Sequence, residues 1–596
     1  MTNPQPHRRP VKSTRRRNLI IVGVIATLAI VVGGVSVYAY SKLSSARDDL
    51  TLATTDASEL RAALTAGDEE RAQAELVQLQ THVRTAGSTL DNSVLSLAAK
   101  APVIGKNVKA VRTITSAVTT VAEDGLPPLV DVADKFNAKT FHPEGGRIDV
   151  DALTALTPTL TAATAAIDVA NAEIKTVDAS SLLSQLRGPV TDAQDKIADA
   201  ADIAGRATTA SRVVPQLLQG KHTYLLIFQN NAEIRATGGL PGAYARLDVD
   251  NGSIKLGQQG AGASLGDLPD KAGPLTAEED SLFTDKLVTD FRDVNFTPDF
   301  PRAAEIAAAI IKQQVGYDVD GVLSLDPVTL SYLLKGIGPV QLEDGTRLTA
   351  DNAVDVLLNN VYVNYPEGAQ QDAFFAGATQ KIFDRVLSGA GDPTMLLEAL
   401  TKGATERRIS VWSREPAVAD ELAGTPLAHE LPTGDAAKSA IGYYLNDATG
   451  AKMQYYLKSA VSGKSSKCTA DGVQTYTTEV SLASTAPADA ATLPVSIQGP
   501  GFGAVPGSML MNLYVYGPTG GKITKISFDG EETDSYEQLT HEGRPVAMVT
   551  VQVDPGQTVK VGADIVGPAG QTGSTAVTAT PSIVPGSSVQ TFKSSC

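Results

Sequence analysis

A short polar loop, QNNAEIRATGG at residues 229–239, follows the apolar run YLLIF and carries residue types that bind ions. Arg235 offers a planar guanidinium whose fork suits a phosphate or a carboxylate. Glu233, together with an amide oxygen from Asn230 or Asn231, could supply the hard oxygen ligands that Mg²⁺ prefers. The loop is therefore a candidate site for a phosphorylated ligand and a divalent cation.

The end of the same loop is suited to close contact with an anion. The Gly238-Gly239 pair would let backbone amides approach the anion, and Thr237 is predicted to contact the same ligand. In open α/β sheets, ligands usually bind at the carboxyl ends of strands, which is where this loop lies. The alternative is structural: Glu233 and Arg235 could pair with each other, while the asparagines cap turns and the glycines permit positive φ.

A second polar segment, DVNFTPDFPR at residues 293–302, could complete the site. Asp293 is predicted to share the Mg²⁺ with Glu233, and Arg302 to grip phosphate beside Arg235. The alternative for Asp299 is helix capping, because a proline-started helix follows it directly.

The sequence gives little support to a serine hydrolase or to a zinc enzyme. Neither His222 nor His429 has a motif partner for a serine triad. The chain has six His and no Cys/His cluster, which argues against zinc.

An uncharged apolar run at residues 19–40 is long enough to cross a bilayer, at about 1.5 Å of helix rise per residue. The preceding basic tail, residues 1–18, contains no acid, so the positive-inside rule predicts a cytoplasmic amino terminus and an extracytoplasmic remainder. A cleavable signal peptide is the alternative, but its apolar core would be shorter. We expect a single-pass bacterial membrane protein anchored through residues 19–40.

The charge of the remainder limits the partners that it can bind, and its two cysteines could form a disulfide. Six of the 50 Lys and Arg lie in the basic tail, so the rest of the chain, with 66 Asp and Glu, has a formal charge of −22. Such a surface excludes nucleic acid as a general partner, because binding to phosphate backbones needs clustered cations. The two cysteines, Cys468 and Cys596, can pair in an oxidising compartment.

The fold class is predicted as α+β multidomain. Residues 41–215 are expected to form a helical stalk, in which Leu76, Val83 and Leu90 recur at heptad spacing. Residues 220–405 alternate strands and helices, with a hairpin at Asn251-Gly252, and predict an α/β domain with a mixed sheet. A connecting segment at 406–440 leads to short alternating strands at 441–596, typical of a β-sandwich.

Two family resemblances rest on longer motifs. The segments YLLIFQNNAEIRATGGLPGAYARL, DVDGVLSLDP, VWSREP and GYYLNDATGAKMQYYL resemble the actinobacterial envelope family called domain of unknown function 4012. The order of DVDGVLSLDP, GIGPVQL and LTADNAVDVLL also resembles the LytR-CpsA-Psr phosphotransferases, which attach polyprenyl-pyrophosphate-linked glycopolymers to the cell wall. That second resemblance implies pyrophosphate and cation binding where Asn230, Asn231, Glu233 and Arg235 stand.

Together these observations predict a membrane-anchored envelope protein that binds or transfers a polyprenyl-linked surface polysaccharide. Arg235 and Glu233 would be the catalytic pair. The alternative is a non-catalytic structural or adhesive ectodomain. The two hypotheses differ in whether the polar groups of both segments converge in one cavity or are instead scattered or paired in local ion pairs.

Overall fold

The computed structural model describes residues 68–91, 104–133, 146–434, 438–500 and 503–596, with isolated positions at 45, 48–49, 52–53, 55–60, 62–63, 95–96 and 99–100. The predicted basic tail at 1–18 and membrane span at 19–40 lie outside the described residues. The described residues fall into two compact units. The helical unit lies within Met1–Asn137 and Thr154–Ser211, and the mixed unit within Ala138–Leu153 and Arg212–Cys596.

The amino-terminal part is helical, as predicted. Its helices are α1 (Glu69–Leu90), α2 (Ile104–Thr120), α3 (Leu126–Ala133), α4 (Val150–Lys175) and α5 (Ser184–Leu218), with a π-helical turn at Val121–Gly125 between α2 and α3. The Asp68 side chain caps α1 by accepting from the Arg71 amide. The predicted heptad positions Leu76, Val83 and Leu90 are all buried, which confirms the seam along α1.

Among the described residues, one helix, α4, is long and apolar enough to cross a membrane. Length and composition alone are weak evidence, because a core helix passes the same test. Ala170 and Ile174 are buried in a cluster with Ala110 and Ile114 of α2, so part of the apolar surface of α4 packs within the helical unit.

The mixed unit begins with a five-stranded sheet and a separate two-stranded one. Their strands are β1 (Lys221–Asn230), β2 (Leu240–Asp250), β3 (Ser253–Ala261), β4 (Gly321–Leu325), β5 (Val340–Gln341), β6 (Arg347–Leu348) and β7 (Ser410–Ser413). The larger sheet has the order β3-β2-β1-β4-β7, in which β1 and β4 are parallel and the other pairs antiparallel. The predicted hairpin at Asn251-Gly252 is confirmed, with both residues at positive φ between β2 and β3. Because β7 pairs with β4, this sheet extends past residue 405, where sequence reasoning had ended the α/β domain.

The mixed unit also contains ten helices among its described residues. They are α6 (Ala277–Phe283), α7 (Lys286–Thr289), α8 (Phe300–Gln314), α9 (Pro327–Ile337), α10 (Ala353–Asp355), α11 (Val361–Asn364), α12 (Gly368–Leu387), α13 (Pro393–Thr405), α14 (Pro416–Leu422) and α15 (Val495–Gln498). A π-helical turn, Val356–Asn360, joins α10 to α11, and 3₁₀ turns occupy Gly262–Leu265, Phe291–Phe296, Met453–Tyr456 and Ala490–Thr492. Asp299 caps α8, as the structural alternative predicted, and Asp326 caps α9.

The carboxyl-terminal part is β-rich, as expected. Its strands are β8 (Ala440–Asp447), β9 (Leu457–Cys468), β10 (Gln474–Ser484), β11 (Met509–Tyr516), β12 (Lys522–Phe528), β13 (Glu531–Thr533), β14 (Glu537–His541), β15 (Arg544–Val553), β16 (Thr558–Val566), β17 (Thr575–Ala579) and β18 (Val589–Phe592). They form one sheet in the order β13-β12-β16-β10-β9 and another in the order β14-β15-β11-β8-β17-β18. Buried residues of both sheets, such as Val480 and Val515, share one hydrophobic core.

Buried tyrosines connect the carboxyl-terminal strands to β1 and α8, and a disulfide links two points within the carboxyl-terminal part. Tyr444, Tyr514 and Tyr516 belong to the same buried cluster as Leu225 of β1 and residues of α8. A disulfide joins Cys468, the last residue of β9, to Cys596. The five-stranded sheet and the carboxyl-terminal sheets therefore belong to one compact unit.

Candidate functional site

The loop at residues 229–239 connects β1 to β2 and is buried along its whole length. It folds back on itself through backbone hydrogen bonds: the Glu233 amide donates to the Asn230 carbonyl at 3.1 Å, and the Leu240 amide donates to the Glu233 carbonyl at 2.9 Å. Most polar groups of a loop this deep must find partners inside the protein, because bulk water cannot reach them.

Arg235 lies at the centre of the loop and is paired with two acids. Its guanidinium donates to one Asp293 oxygen at 3.1 and 2.9 Å and to Glu233 Oε1 at 3.1 Å. The ring of Phe296 lies 4.8 Å from the guanidinium carbon. The side chains of Arg235 and Glu233 are only 5% and 7% exposed, and that of Asp293 is 15% exposed. The two segments singled out in the sequence do meet, as an internal ion pair.

A second cation comes from a part of the chain that sequence reasoning did not assign to the site. Lys452 Nζ lies 3.0 Å from Glu233 Oε2, so Glu233 bridges Lys452 and Arg235. The Lys452 ammonium also lies 5.0 Å from the centre of the Tyr362 ring. We call Glu233, Arg235, Asp293 and Lys452 the buried charge cluster.

The pKa values in the buried charge cluster reflect competition between burial and charge. Burial alone would raise the pKa of Glu233, but Lys452 and Arg235 outweigh it and lower that pKa. Burial raises the pKa of Asp293 against the opposing effect of Arg235. Glu233 is thus held ionised by two cations.

The two asparagines anchor the loop to other elements. Asn230 Nδ2 donates to the Tyr362 hydroxyl, and Asn230 Oδ1 accepts from the Ala232 amide at 3.0 Å. Asn231 Nδ2 donates to Asp326 Oδ2 at 3.1 Å, and Arg408 donates to the same oxygen at 2.7 Å. The amide nitrogens of both residues predicted to orient a ligand are therefore used to hold the fold.

Thr237 and the glycine pair have a packing role. Asn295 Nδ2 donates to Thr237 Oγ1 at 3.0 Å and to the Gly239 carbonyl at 2.7 Å. A Cβ on Gly239 would lie only 2.2 Å from the carbonyl carbon of Asn230, and Gly238 has a φ of +140°. Glycine is required here because the loop backbone packs directly on the end of β1.

Arg302 does not join the buried charge cluster. Its guanidinium pairs with Glu279 at 2.6 and 3.2 Å and donates to the Pro274 carbonyl. Glu279 is also the residue that completes the capping box of α6. Arg302 thus connects α8 to α6. The sequence pattern at the start of α8 gave no indication of this contact.

The residues proposed for Mg²⁺ do not fit that ion in this arrangement. The carboxylates of Glu233 and Asp293 face Arg235 and Lys452, whose positive charges would repel a divalent cation. Among the described residues, no group of three His, Cys, Asp or Glu is spaced to hold a metal.

Sequence reasoning missed the carboxyl-terminal partners of the loop. Asn446 Oδ1 accepts from the Ala236 amide at 2.9 Å, and Thr580 Oγ1 donates to the Ala236 carbonyl at 3.1 Å. The Asp447 amide donates to the Ile234 carbonyl at 2.9 Å. The motif GYYLNDATGAKMQYYL contains Asn446, Asp447 and Lys452, but nothing in it indicated contact with the 229–239 loop.

Comparison with known proteins matches one segment of the chain to a family model. A search of curated proteins found no match. Residues 219–362, which run from the start of β1 through the loop to Tyr362, match the family model described as "Protein of unknown function (DUF4012)". The resemblance to domain of unknown function 4012 is therefore confirmed over residues 219–362.

Proposed function

We propose that this protein is a non-catalytic structural ectodomain of the bacterial cell envelope, anchored through residues 19–40. In this role the 229–239 loop is an internal connector between the five-stranded sheet and the carboxyl-terminal strands. The observation that carries the proposal is the internal neutralisation of Arg235, the residue best suited to bind phosphate. Asp293 and Glu233 take up its guanidinium, at 2.9 and 3.1 Å.

The energetics favour a fixed cluster over an open site. Freeing Arg235 for a ligand would leave Glu233 and Asp293 buried without their main counter-charge. Removing one partner of a buried pair typically costs about 3–5 kcal/mol. A ligand could bind only if its own interactions with the site exceeded that cost.

The disulfide supports the extracytoplasmic location. Cys468 and Cys596 are bonded, and structural disulfides persist in oxidising compartments. This agrees with the orientation expected from the basic tail, in which everything after residue 40 is exported.

A titration tests the structural role. The full-length chain in detergent is titrated calorimetrically with a short polyprenyl pyrophosphate, with and without Mg²⁺. We expect no saturable heat in either condition. Arg235→Lys and the matched Arg302→Lys are measured in parallel. Metal-dependent binding that is lost in Arg235→Lys and kept in Arg302→Lys would contradict the structural proposal.

Binding or transfer of a polyprenyl-pyrophosphate-linked polysaccharide is the second candidate function. Two observations favour it. The first is that Arg235 contacts both Glu233 and Asp293, so the three groups lie together, as that hypothesis requires. Among the described residues, the buried amide oxygens of Asn231, Asn295 and Gln454 also have no hydrogen-bond partner. A bound molecule or ordered water would satisfy them. The same titration decides between the two candidates.

A further inference from the structure

The helix that carries Tyr362 is interrupted by a π-helical turn. Val356–Asn360 joins α10 to α11, and π-turns inside helices are frequently found at functional sites. Asp355, Asn360 and Val363 are exposed along this helix, and Asn359 is half-buried. The turn and the residues flanking it thus present a carboxylate, two amides and an apolar side chain at the surface.

A pair of tyrosines lies against the polar side of this turn. Tyr455 and Tyr456 belong to the 3₁₀ turn Met453–Tyr456, are partly exposed, and meet edge to face with ring centres 4.9 Å apart. The Tyr455 hydroxyl donates to Asp355 Oδ1 at 2.8 Å, and the Tyr456 hydroxyl donates to Asn359 Oδ1 at 3.2 Å. The hydroxyls fix both rings in place at the surface.

A second pair of aromatic rings lies beyond the carboxyl end of this helix. Tyr365 and Phe374 are partly buried with ring centres 5.7 Å apart, and the Tyr365 hydroxyl donates to Asp344 at 2.6 Å. Aromatic residues make up only 5% of the chain, so their concentration around one helix is unusual for this sequence. Val363 is 45% exposed on the same helix.

We propose that this tyrosine face, defined by Asp355, Asn359, Tyr365, Tyr455 and Tyr456, binds a neutral polysaccharide. Rigid aromatic rings offer an amphipathic contact surface, and the apolar C–H faces of sugar rings match it. Carboxylate and amide oxygens beside the rings can accept hydrogen bonds from sugar hydroxyls.

The charge of the tyrosine face selects against acidic polymers. Asp344 and Asp355 both hydrogen-bond to its tyrosines, so an anionic chain would meet like charge there. A neutral glycan avoids that repulsion. The inference goes beyond the structural role proposed above, because it assigns a ligand to a surface that does not include Arg235 or Glu233.

Affinity electrophoresis tests the inference. The full-length chain in detergent is run in native gels containing dextran, mannan, arabinan or galactan, with dextran sulfate as the anionic comparison. We expect at least one neutral glycan to retard the protein, and dextran sulfate not to. The Tyr455→Ala/Tyr456→Ala double variant should weaken retardation on the order of tenfold, because each lost aromatic contact removes part of the binding energy.

Two further variants show that the ring faces are responsible. Tyr455→Phe keeps the ring and should retain most of the binding, while Tyr536→Ala, a partly exposed tyrosine between β13 and β14, should leave it unchanged. Emission from Trp412 confirms that each variant is folded. The inference is overturned if no neutral glycan retards the protein, if only dextran sulfate does, or if Tyr536→Ala is as defective as the double variant.

Discussion

The buried charge cluster and the ion pairs of the helical unit use the same chemistry in opposite surroundings. Arg235 pairs with Glu233 at side-chain exposures of 5% and 7%, whereas Arg84 pairs with Glu123 in the helical unit at 61% and 34%. Exposed pairs contribute about 0–1 kcal/mol, while breaking a buried pair costs several times more. The role of an arginine in this protein is therefore decided by burial and by partners distant in sequence.

The largest effect is expected from removing the central cation. Arg235→Ala should lower the free energy of unfolding of the mixed unit by about 3–5 kcal/mol, because Glu233 and Asp293 lose their shared partner. Urea unfolding followed by fluorescence measures it. Trp412, the one tryptophan in the sequence, lies on β7 and reports on this unit. A loss below 1 kcal/mol would mean that the cluster is as weak as a surface pair.

Removing the disulfide should cause the second-largest loss of stability. Cys468 and Cys596 are separated by 128 residues, so their bond constrains much of the unfolded carboxyl-terminal chain. The Cys468→Ser/Cys596→Ser double variant should lose about 2–4 kcal/mol in the same Trp412 experiment. Reduction of the wild-type protein serves as the control, and it should give the same loss.

A smaller, long-range effect should appear between Glu233 and Lys452, which are 219 residues apart. A double-mutant cycle with Glu233→Gln and Lys452→Met should give a coupling of about 1–3 kcal/mol, since the two groups are in contact. The same cycle applied to Arg84 and Glu123 provides the exposed comparison. Equal couplings in the two cycles would remove the distinction between the regions.

The pH dependence of the mixed unit should depend partly on His429. Burial and the charge of Arg407 hold the pKa of this histidine well below its usual 6.5, so the ring is neutral in the folded protein. The unfolded chain binds the extra proton as pH falls through about 6.5, so the stability contributed by neutral His429 is present above that pH and lost below it. His429→Gln should flatten the change in Trp412-monitored stability between about pH 7 and pH 5. An unchanged slope would contradict this assignment.

The smallest effect is expected at the helical pair. Arg84→Ala should change the stability of the helical unit by no more than about 1 kcal/mol, because water and salt screen the exposed charges. Thermal unfolding followed by circular dichroism at the helical band measures it. A larger loss would show that this pair resembles the buried charge cluster after all.

Much of the fold could be predicted because its signals are local. The heptad positions Leu76 and Val83 marked a buried seam, and Asn251-Gly252 marked a hairpin. The proline in the first turn of α8 likewise indicated that Asp299 caps this helix. Periodicity, turn residues and caps act within a few residues, so one sequence reveals them.

The candidate site could be predicted only in part. Arg235 and Asp293 were both singled out and do meet, but their pairing with each other could not be distinguished from joint binding of a ligand. Lys452 was missed because its contact with Glu233 depends on how segments more than 200 residues apart are brought together. No local pattern specifies such a contact.

The most direct test of the central claim compares the reactivity of two arginines in one sample. The folded full-length protein is treated with phenylglyoxal, and modification at each arginine is quantified by mass spectrometry. We expect Arg84 to be modified readily and Arg235 to stay protected until urea unfolds the mixed unit, as Trp412 emission reports. Modification of Arg235 in the folded protein, suppressed by polyprenyl pyrophosphate with Mg²⁺, would contradict the structural account and identify the loop as a ligand site.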